Sequence, residues 1–414
     1  MSKSLNLAYG EQPIAFHVPN QADILTPKDP EPVITQKLFK QRLTAFIEKN
    51  DLDLTSVVAV VADKTRLCGY PTYLPILVQT LQNYGLKTDR LKFIIAYGTH
   101  PRQSDVESRN AYGEIFGQFQ WLHHDCSDRS SFEDQGHTRK GTPVRMRTDI
   151  KAASCIITFG AISHHYFAGY GGGRKLIFPG LGEKSAIYAN HGLFLDRTTR
   201  RLAEKCRCGV LAQNPLSEDL AEVETHRPAD IAIHGILDSR GRVCDLMVGC
   251  GQDHFINACR RHGTHYEIPG RQYDLVVASC SGFPKDINFI QSHKTIHNAA
   301  AFVRDNGRLI VLAQCKDGIG SQTFLPWFRM GGWEAAFNQL AEHYEGNGGT
   351  ALAMMEKLQR IEIDLVTQLD QTIADTVGFK CLTAPQAQQI IDATTGRIAV
   401  IPNAALLVHK VQEL

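Results

Sequence analysis

The stretch Ser56-Val-Val-Ala-Val-Val-Ala62 is an unbroken apolar run that ends at Asp63. Similar runs recur along the chain, each stopping close to a glycine or a polar residue, at 91–96, 153–159, 273–279 and 307–313. Runs without polar alternation are typical of strands buried on both faces, as in parallel sheets. A pattern rich in Leu and Gln at 73–84 indicates a helix between two of them. We therefore predict an α/β fold with mainly parallel sheets flanked by helices.

The length of the chain indicates two domains, because 414 residues exceed what one ordinary hydrophobic core supports. Pro269-Gly270 stands directly before one of the strand-like runs. We place the boundary there and predict domains at 1–270 and 271–414. We expect the active site in the cleft between the two domains.

The composition excludes several classes of protein. The formal net charge is +1, which gives no basic surface for nucleic acid or for a membrane. No apolar run approaches the roughly 20 residues that span a bilayer, and the N-terminus has no apolar core of signal-peptide length. We therefore expect a cytoplasmic protein. The 11 cysteines are scattered without a Cys-x-x-Cys pair, which favours reduced thiols and disfavours a zinc site.

Ionisable side chains follow several of the predicted strands. In open α/β sheets, ligands bind beyond the carboxyl ends of strands, so these groups are candidates for one site. The four segments are Asp63-Lys-Thr-Arg66, Gly98-Thr-His100, Ser163-His-His165 and Gln291-Ser-His-Lys294. Their convergence is more informative than any single motif.

The densest segment is His165-Tyr-Phe-Ala-Gly-Tyr-Gly-Gly-Gly-Arg-Lys175. It fails the phosphate-loop pattern, because Arg174 stands where a glycine is needed and Leu176 replaces the Ser or Thr after the lysine. It also fails the dinucleotide-binding pattern. The glycines allow the backbone to approach a ligand closely. Lys175 precedes an apolar stretch, and a desolvated lysine is a good covalent anchor, although a solvated lysine after an ordinary turn remains the alternative.

Three histidines are candidates for chemistry. His100 and His165 each follow a predicted strand and, in one cleft, can act as paired acid and base; the alternative is that each caps a turn. His191 has no histidine partner at metal-ligand spacing, so the alternative is a helix or turn histidine without a ligand; a lone imidazole with non-protein ligands would be an unusual metal site. Arg66 and Lys294 are candidate holders of a carboxylate, or ordinary surface charges.

With these motifs in this order, the chain resembles the nickel-pincer lactate racemase family along nearly its whole length. The resemblance rests on Asp63-x-Thr-Arg66, Gly98-Thr-His100, His165-x-Phe-Ala-Gly-Tyr-x-Gly-Gly-x-Lys175, Pro179-Gly180, Asn190-His191 and Gln291-Ser-x-Lys294. It implies a pyridinium mononucleotide with sulfur arms, bound by the N-terminal domain and joined to Lys175 as a thioamide. Two sulfurs and a ring carbon of this nickel-pincer nucleotide would hold Ni(II), and His191 would be the fourth ligand in a planar geometry that suits nickel.

The resemblance also implies an activity, that of a racemase or epimerase of a 2-hydroxy acid. One histidine would take the hydroxyl proton, hydride would move reversibly from Cα to the cofactor, and the second histidine would reprotonate the other side; His100 and His165 hold these positions. Arg66, Gln291 and Lys294 would orient the substrate. Cofactor contacts are implied for Asp63, Thr65, Gly172 and Gly173. The implied partners are the small 2-hydroxy acid and the enzymes that make the cofactor, with a homo-oligomer left open.

Some positions depart from the family pattern. Ile290 stands where lactate-specific members carry a tyrosine, and this leaves room for a larger substrate. Arg102, Arg174 or His293 could meet a second carboxylate, so malate, hydroxyglutarate or a sugar acid are candidates. The alternative function is that of a non-catalytic relative that binds a nucleotide or a carboxylate. An NAD-dependent dehydrogenase is disfavoured, because no dinucleotide fingerprint follows a predicted strand.

Overall fold

A computed structural model describes residues 2–410 as α/β structure, which confirms the predicted fold class. The strands are β1 Ser2–Leu7, β2 Ile14–Pro19, β3 Asp23–Ile24, β4 Val57–Ala62, β5 Leu91–Ala96, β6 Gln120–His123, β7 Phe132–His137, β8 Pro143–Arg147, β9 Cys155–Ala161, β10 Ser163–His165, β11 Gly169–Gly171, β12 Leu195–Asp196, β13 Arg201–Leu202, β14 Ile231–Leu237, β15 Val243–Gly249, β16 Glu267–Pro269, β17 Tyr273–Ser279, β18 Val303–Leu312, β19 Glu362–Val366, β20 Lys380–Leu382, β21 Ile398–Ile401 and β22 Val408–Lys410.

The α-helices are α1 Gln36–Lys49, α2 Tyr70–Asn83, α3 Asp105–Tyr112, α4 Thr148–Ala152, α5 Lys184–Gly192, α6 Pro215–His226, α7 Gly251–Tyr266, α8 Phe289–Ala300, α9 Trp333–Glu342, α10 Gly348–Arg360, α11 Gln371–Val377 and α12 Ala384–Ala393. Short 3-10 turns lie at Thr88–Arg90, Gly113–Gly117, Arg129–Ser131, Gly173–Leu176 and Leu325–Arg329. The apolar run at 56–62 forms β4, and all six residues of this strand are buried. Among residues 2–410, no helix is both long and apolar enough to cross a membrane.

The chain divides into two compact units. The N-terminal unit consists of residues 29–194 and 205–265. The C-terminal unit takes the remaining described residues, including those before Asp29 and the segment Leu195–Glu204. The division at residue 270 stays a prediction. Near that point the chain does change units, but two earlier segments also belong to the C-terminal unit. The first does so because β3 pairs with β21 and the β1–β2 hairpin packs on the same core. In the second, Leu195–Glu204, the side chains of Arg197 and Arg200 hydrogen-bond to Ala341 and Asn338.

The N-terminal unit is built on a six-stranded sheet in the order β15-β14-β9-β4-β5-β6. Neighbouring strands are parallel except for the edge pair β14 and β15. From β4 the chain adds β5 and β6 on one side and then returns to place β9 on the other. The strand order therefore reverses between β4 and β9, which is where such sheets bind ligands at the carboxyl ends of the strands.

The C-terminal unit contains a second six-stranded sheet in the order β20-β19-β18-β17-β21-β3, and all its pairs are parallel. Helix α8 connects β17 to β18 in the usual βαβ manner. It begins after Asn288, whose side chain accepts a hydrogen bond from the backbone N–H of Gln291 and caps the helix. This cap fixes the first turn of α8, which contains Gln291; Lys294 follows in the second turn.

Candidate functional site

The site is assembled where the strand order of the N-terminal unit reverses. Asp63 and Arg66 follow β4, His100 follows β5, and the hairpin β10–β11 follows β9. The 3-10 turn that carries Lys175 contacts β9, β4 and β14. Three of the four segments that the sequence singled out therefore follow neighbouring parallel strands, whose carboxyl ends lie at one edge of the sheet. The fourth, with Gln291 and Lys294, lies in the C-terminal unit.

Asp63 is buried and its two carboxylate oxygens have separate partners. Oδ1 accepts hydrogen bonds from the backbone N–H and the hydroxyl of Thr65, at 2.7 and 2.5 Å. Oδ2 lies 2.7 Å from Nδ1 of His100 and 3.7 Å from the guanidinium of Arg66. Burial by itself raises the pKa of Asp63, but the hydrogen bonds from His100 and Thr65 and the charge of Arg66 lower it to about 2. The carboxylate of Asp63, which is hydrogen-bonded to His100, is therefore ionised. The contacts of Asp63 and Thr65 with a cofactor stay predictions.

The Nδ1 atoms of His100 and His165 have opposite hydrogen-bond partners, an acceptor for His100 and donors for His165. The Nδ1 atom of His100 meets the carboxylate of Asp63. The Nδ1 atom of His165 instead accepts hydrogen bonds from the backbone N–H groups of Phe167 and Ala168, at 3.2 and 3.0 Å. The neighbouring His164 packs against Tyr170 and His262, with ring centroids 4.9 and 4.8 Å away.

Lys175 is carried on a turn that only glycines can form. Gly172 and Gly173 have φ angles of +81° and +53°, in the left-handed region. A Cβ atom at Gly172 would lie 2.1 Å from the carbonyl oxygen of Ala161, so the turn packs directly on the end of β9. Because of this close approach, the lysine lies against the end of the sheet.

We expect Gly172→Ala to destabilise the N-terminal unit more than Gly241→Ala. Both glycines have positive φ, but a Cβ at Gly241 would meet nothing within 4 Å. Both variants place alanine at a positive φ, but Gly172 also has a ψ of −169°, a region essentially restricted to glycine, and only Gly172→Ala drives a methyl group into a carbonyl. The difference in unfolding free energy, measured by urea titration, reports these two effects together. Equal destabilisation would show that the turn can move away from β9.

The amine of Lys175 has a pKa well below that of an ordinary lysine. Burial lowers its pKa to about 7, and the charges of Arg66 and Arg174 act in the same direction. An ordinary lysine has a pKa near 10.4. A substantial fraction of Lys175 is therefore the neutral, nucleophilic amine at neutral pH. The structure thus disfavours the alternative of an ordinary solvated lysine.

This lowered pKa predicts the pH dependence of acylation. Because only the neutral amine reacts, labelling of Lys175 by acetic anhydride should rise with a midpoint near pH 7, well below the pH at which ordinary lysines react. Arg66→Gln removes a nearby positive charge and should move the midpoint to higher pH. Peptide mass spectrometry after brief labelling measures both. A midpoint above pH 9 in the unsubstituted protein would contradict the burial of this amine.

His191 presents one imidazole nitrogen as a potential metal ligand. Its Nδ1 lies 2.7 Å from the carbonyl oxygen of Ile187, one turn earlier on α5. A carbonyl only accepts, so Nδ1 carries the proton and Nε2 carries the lone pair. Burial, followed by the charge of Lys175, lowers the pKa of His191 to about 4. The ring is therefore neutral at physiological pH, as a metal ligand must be.

The residue before His191 fixes the end of α5. The buried side-chain amide of Asn190 donates to Oδ2 of Asp219 at 2.7 Å, and the hydroxyl of Thr138 donates to the other oxygen of the same carboxylate. This buried network holds α5 against α6. Sequence reasoning missed Asp219 and Thr138, because no spacing connects them to His191.

The donor set fits a cofactor-borne metal better than a metal held by protein alone. Among residues 2–410, no group of three or more His, Cys, Asp or Glu side chains could hold a metal ion. The site offers one neutral imidazole, His191, in electrostatic contact with the amine of Lys175. An anchored cofactor that supplies the other ligands fits this arrangement.

Arg174 does not serve the role that its position in the sequence suggested. Its guanidinium is buried, donates to the carbonyl and hydroxyl oxygens of Ser217 at 2.9 and 2.7 Å, and lies 4.9 Å from the ring centre of Phe255. It is therefore committed to α6 and is unavailable to a second substrate carboxylate. His293 is also buried, and burial lowers its pKa to about 3. Arg102 remains exposed, 3.7 Å from Asp105.

Gln291 and Lys294 are exposed neighbours on the first two turns of α8. The ammonium group of Lys294 donates to Oε1 of Gln291 at 3.1 Å. This pair can present an amide and a positive charge to a carboxylate. Their action on the same substrate as Arg66 stays a prediction.

Comparison with known proteins identifies the family. Residues 9–203 match the model of the lactate racemase N-terminal domain, and residues 268–347 match that of the lactate racemase C-terminal domain. The chain is 25% identical over 337 residues to lactate racemase of Thermoanaerobacterium thermosaccharolyticum, covering 79% of this chain and 78% of that protein. It is 27% identical over 271 residues to lactate racemase of Lactiplantibacillus plantarum, covering 65% of this chain and 62% of that protein.

Solved structures show the same fold. The structure of the lactate racemase apoprotein from T. thermosaccharolyticum superposes with a TM-score of 0.87 at 22% identity, covering 99% of this chain and all of the other. A crystal structure of a protein from Thermotoga maritima superposes with a TM-score of 0.64 at 14% identity, covering 92% and 99% of the two chains. With two domain models that together match well over half of its residues, the chain belongs to the lactate racemase family.

Proposed function

We propose that this protein racemises or epimerises a 2-hydroxy acid at C2, with a nickel-pincer nucleotide anchored on Lys175. The observation that carries the proposal is the grouping at one sheet end of a neutral amine, a neutral imidazole ligand and a histidine backed by a carboxylate. Lys175 interacts electrostatically with both Arg66 and His191, and Arg66 shares Asp63 with His100. Such a combination of nucleophile, ligand and base is needed for anchored-cofactor chemistry.

Each side chain has a definite task in this proposal. When bound, the cofactor supplies a reversible acceptor for hydride. Lys175 would anchor it, and His191 would ligate its metal through Nε2. His100 receives the proton of the 2-hydroxyl at Nε2, and Asp63 stabilises the imidazolium that results. His165 faces the substrate oxygen from the second position. The side chain of Arg66 is 58% exposed, so its guanidinium can also donate hydrogen bonds to the substrate carboxylate.

The substrate class is a 2-hydroxy acid, with lactate as the first compound to test. Ile290 in place of a tyrosine favours a substrate with a larger side chain. The commitment of Arg174 to Ser217 removes one cation that could have bound a second carboxylate. Arg102 is still exposed, so malate, hydroxyglutarate and a sugar acid all stay candidates among larger substrates.

The test uses protein produced together with the enzymes that synthesise the cofactor. Enantiopure lactate, malate, 2-hydroxyglutarate and sugar acids are incubated with it, and chiral chromatography follows the appearance of the opposite configuration at C2. We expect conversion of at least one compound by loaded protein and none by protein expressed without the synthesis enzymes. If the loaded protein carries the adduct and nickel but converts no compound, the non-catalytic alternative replaces this proposal.

A further inference from the structure

The hydrogen bonds of His100 decide which of its ring nitrogens carries the proton. The partner of Nδ1 is the carboxylate of Asp63, at 2.7 Å. An ionised carboxylate has only acceptors to offer, so the hydrogen in this bond belongs to Nδ1. The neutral ring then has its lone pair on Nε2. His100 is thus ready to accept a proton at Nε2, and the charge that forms is matched by the carboxylate.

The hydrogen bonds of His165 place its proton on the other ring nitrogen, Nε2. Its Nδ1 receives two backbone N–H groups, those of Phe167 and Ala168. An amide N–H can only donate, so Nδ1 must hold the lone pair and the proton of the neutral ring must be on Nε2. A second proton at Nδ1 would face two N–H groups directly. His165 is therefore ready to donate a hydrogen bond at Nε2, and it has no lone pair there.

The turn that supplies these two amides is firmly held. The ring of Phe167 is buried and stacks on Phe194 with ring centroids 4.1 Å apart. The side-chain amide of Asn214 donates to the carbonyl of Phe167 at 2.8 Å. The next glycine, Gly169, has a φ of +77°, and a Cβ there would lie 2.2 Å from the carbonyl oxygen of Val210. The amides cannot turn away from His165 without breaking this packing.

We infer that the two histidines hold opposite tautomers in the resting protein, so that His100 is its proton acceptor and His165 is a hydrogen-bond donor. Asp63 is the positioning residue that sets the tautomer of His100, and the amides of Phe167 and Ala168 set that of His165. The catalytic part of this inference rests on the proposed function. The tautomers themselves are properties of the chain alone.

Proton transfer is balanced for the reaction in which His100 accepts the proton of the substrate. The O–H bond of the 2-hydroxyl breaks, an N–H bond forms at Nε2 of His100, and the electron pair left on oxygen becomes the second bond of the 2-oxo group. The hydride of Cα would pass to the acceptor that the proposed cofactor would supply. His165 meanwhile keeps its proton and donates a hydrogen bond to the substrate oxygen. In the other direction, His165 can take a proton only after its Nδ1 has left the two amides.

The tautomers can be measured by nuclear magnetic resonance on the full chain labelled with ¹⁵N-histidine, without cofactor, at neutral pH. Long-range ¹H–¹⁵N spectra distinguish protonated from unprotonated ring nitrogens, and His100→Gln and His165→Gln assign the two spin systems by their disappearance. We expect protonated Nδ1 with unprotonated Nε2 for His100, and the reverse for His165. The same tautomer in both rings, or an imidazolium at His165, would overturn the inference.

A second variant tests the role of Asp63. Asp63→Ala removes the acceptor at Nδ1, so His100 should move toward the Nε2–H tautomer that free imidazole side chains favour in water, while His165 stays unchanged. The matched control is Asp134→Ala, at an exposed carboxylate paired with Arg145, and it should change neither ring. An unchanged His100 signal in folded Asp63→Ala protein would refute the positioning role. These spectra need no turnover, so their outcome is independent of the racemisation assay.

Discussion

Lys175→Arg is expected to remove the covalent adduct and to reduce racemisation to that of cofactor-free protein. Arginine keeps the positive charge, but its guanidinium stays protonated and does not form a thioamide. The normal side chain, by contrast, is a buried amine with a pKa of about 7. Intact mass measured after co-expression with the synthesis enzymes should show the adduct in the unsubstituted protein and no adduct in the variant.

The matched control for this experiment is Lys184→Arg, at an exposed lysine nine residues further along the chain at the start of α5. It should keep both the adduct and the activity. An adduct of the expected mass in Lys175→Arg protein would mean that another residue anchors the cofactor. The proposed function would then lose the observation on which it depends.

His100→Gln is expected to lower kcat by about 10²–10⁴-fold, the range that general acid–base residues contribute. Glutamine can still hydrogen-bond to Asp63, but it cannot accept the hydroxyl proton. The mass of the adduct and the nickel content should not change, because Lys175 and His191 are untouched. Initial rates from both enantiomers, together with metal analysis of the same samples, separate loss of proton transfer from loss of cofactor.

The control for the second experiment is His137→Gln, at an exposed histidine on β7 in the same unit. It should retain full activity. Activity of the His100→Gln protein close to that of the control would remove His100 from the proton-transfer step. Nickel lost together with activity would instead place His100 among the groups that hold the cofactor.

The parallel sheets were predictable because strands buried on both faces leave a direct pattern in the sequence. The run at 56–62 and the strand β4 agree to within a residue, and the helix predicted at 73–84 is observed as α2, beginning three residues earlier at Tyr70. That earlier start has a local cause. Gly69 has a φ of +63° and Pro71 follows at the first turn, a combination suited to a helix beginning.

The partners of the site residues were far less accessible from sequence. The contact between Asp63 and His100 joins the ends of neighbouring parallel strands, and it depends on register, which composition does not reveal. The amides that hold His165 leave no signal at all, because every residue except proline has one. The bond from His191 to Ile187 follows the i−4 spacing of a helix, and the sequence could have suggested it.

Arg174 shows how adjacency in sequence can mislead. It stands next to Lys175, yet on a 3-10 turn consecutive residues point in different directions. One side chain lies among Arg66 and His191, while the other turns to α6 and Phe255. A glycine-rich motif therefore identified the right backbone, but it did not show which neighbouring side chain reaches the ligand.

The threading of the chain has a consequence for synthesis on the ribosome. The β1–β2 hairpin and β3 emerge long before β21, yet β3 pairs with β21, joining Asp23 to Ala399. The hairpin likewise binds α12 through His17 and Gln388. The hairpin can close on itself, but β3 must remain without its partner until β21 has been synthesised, since contacts so distant in sequence form late. No single cut yields both units intact, and fragments ending near residue 270 should be aggregation-prone.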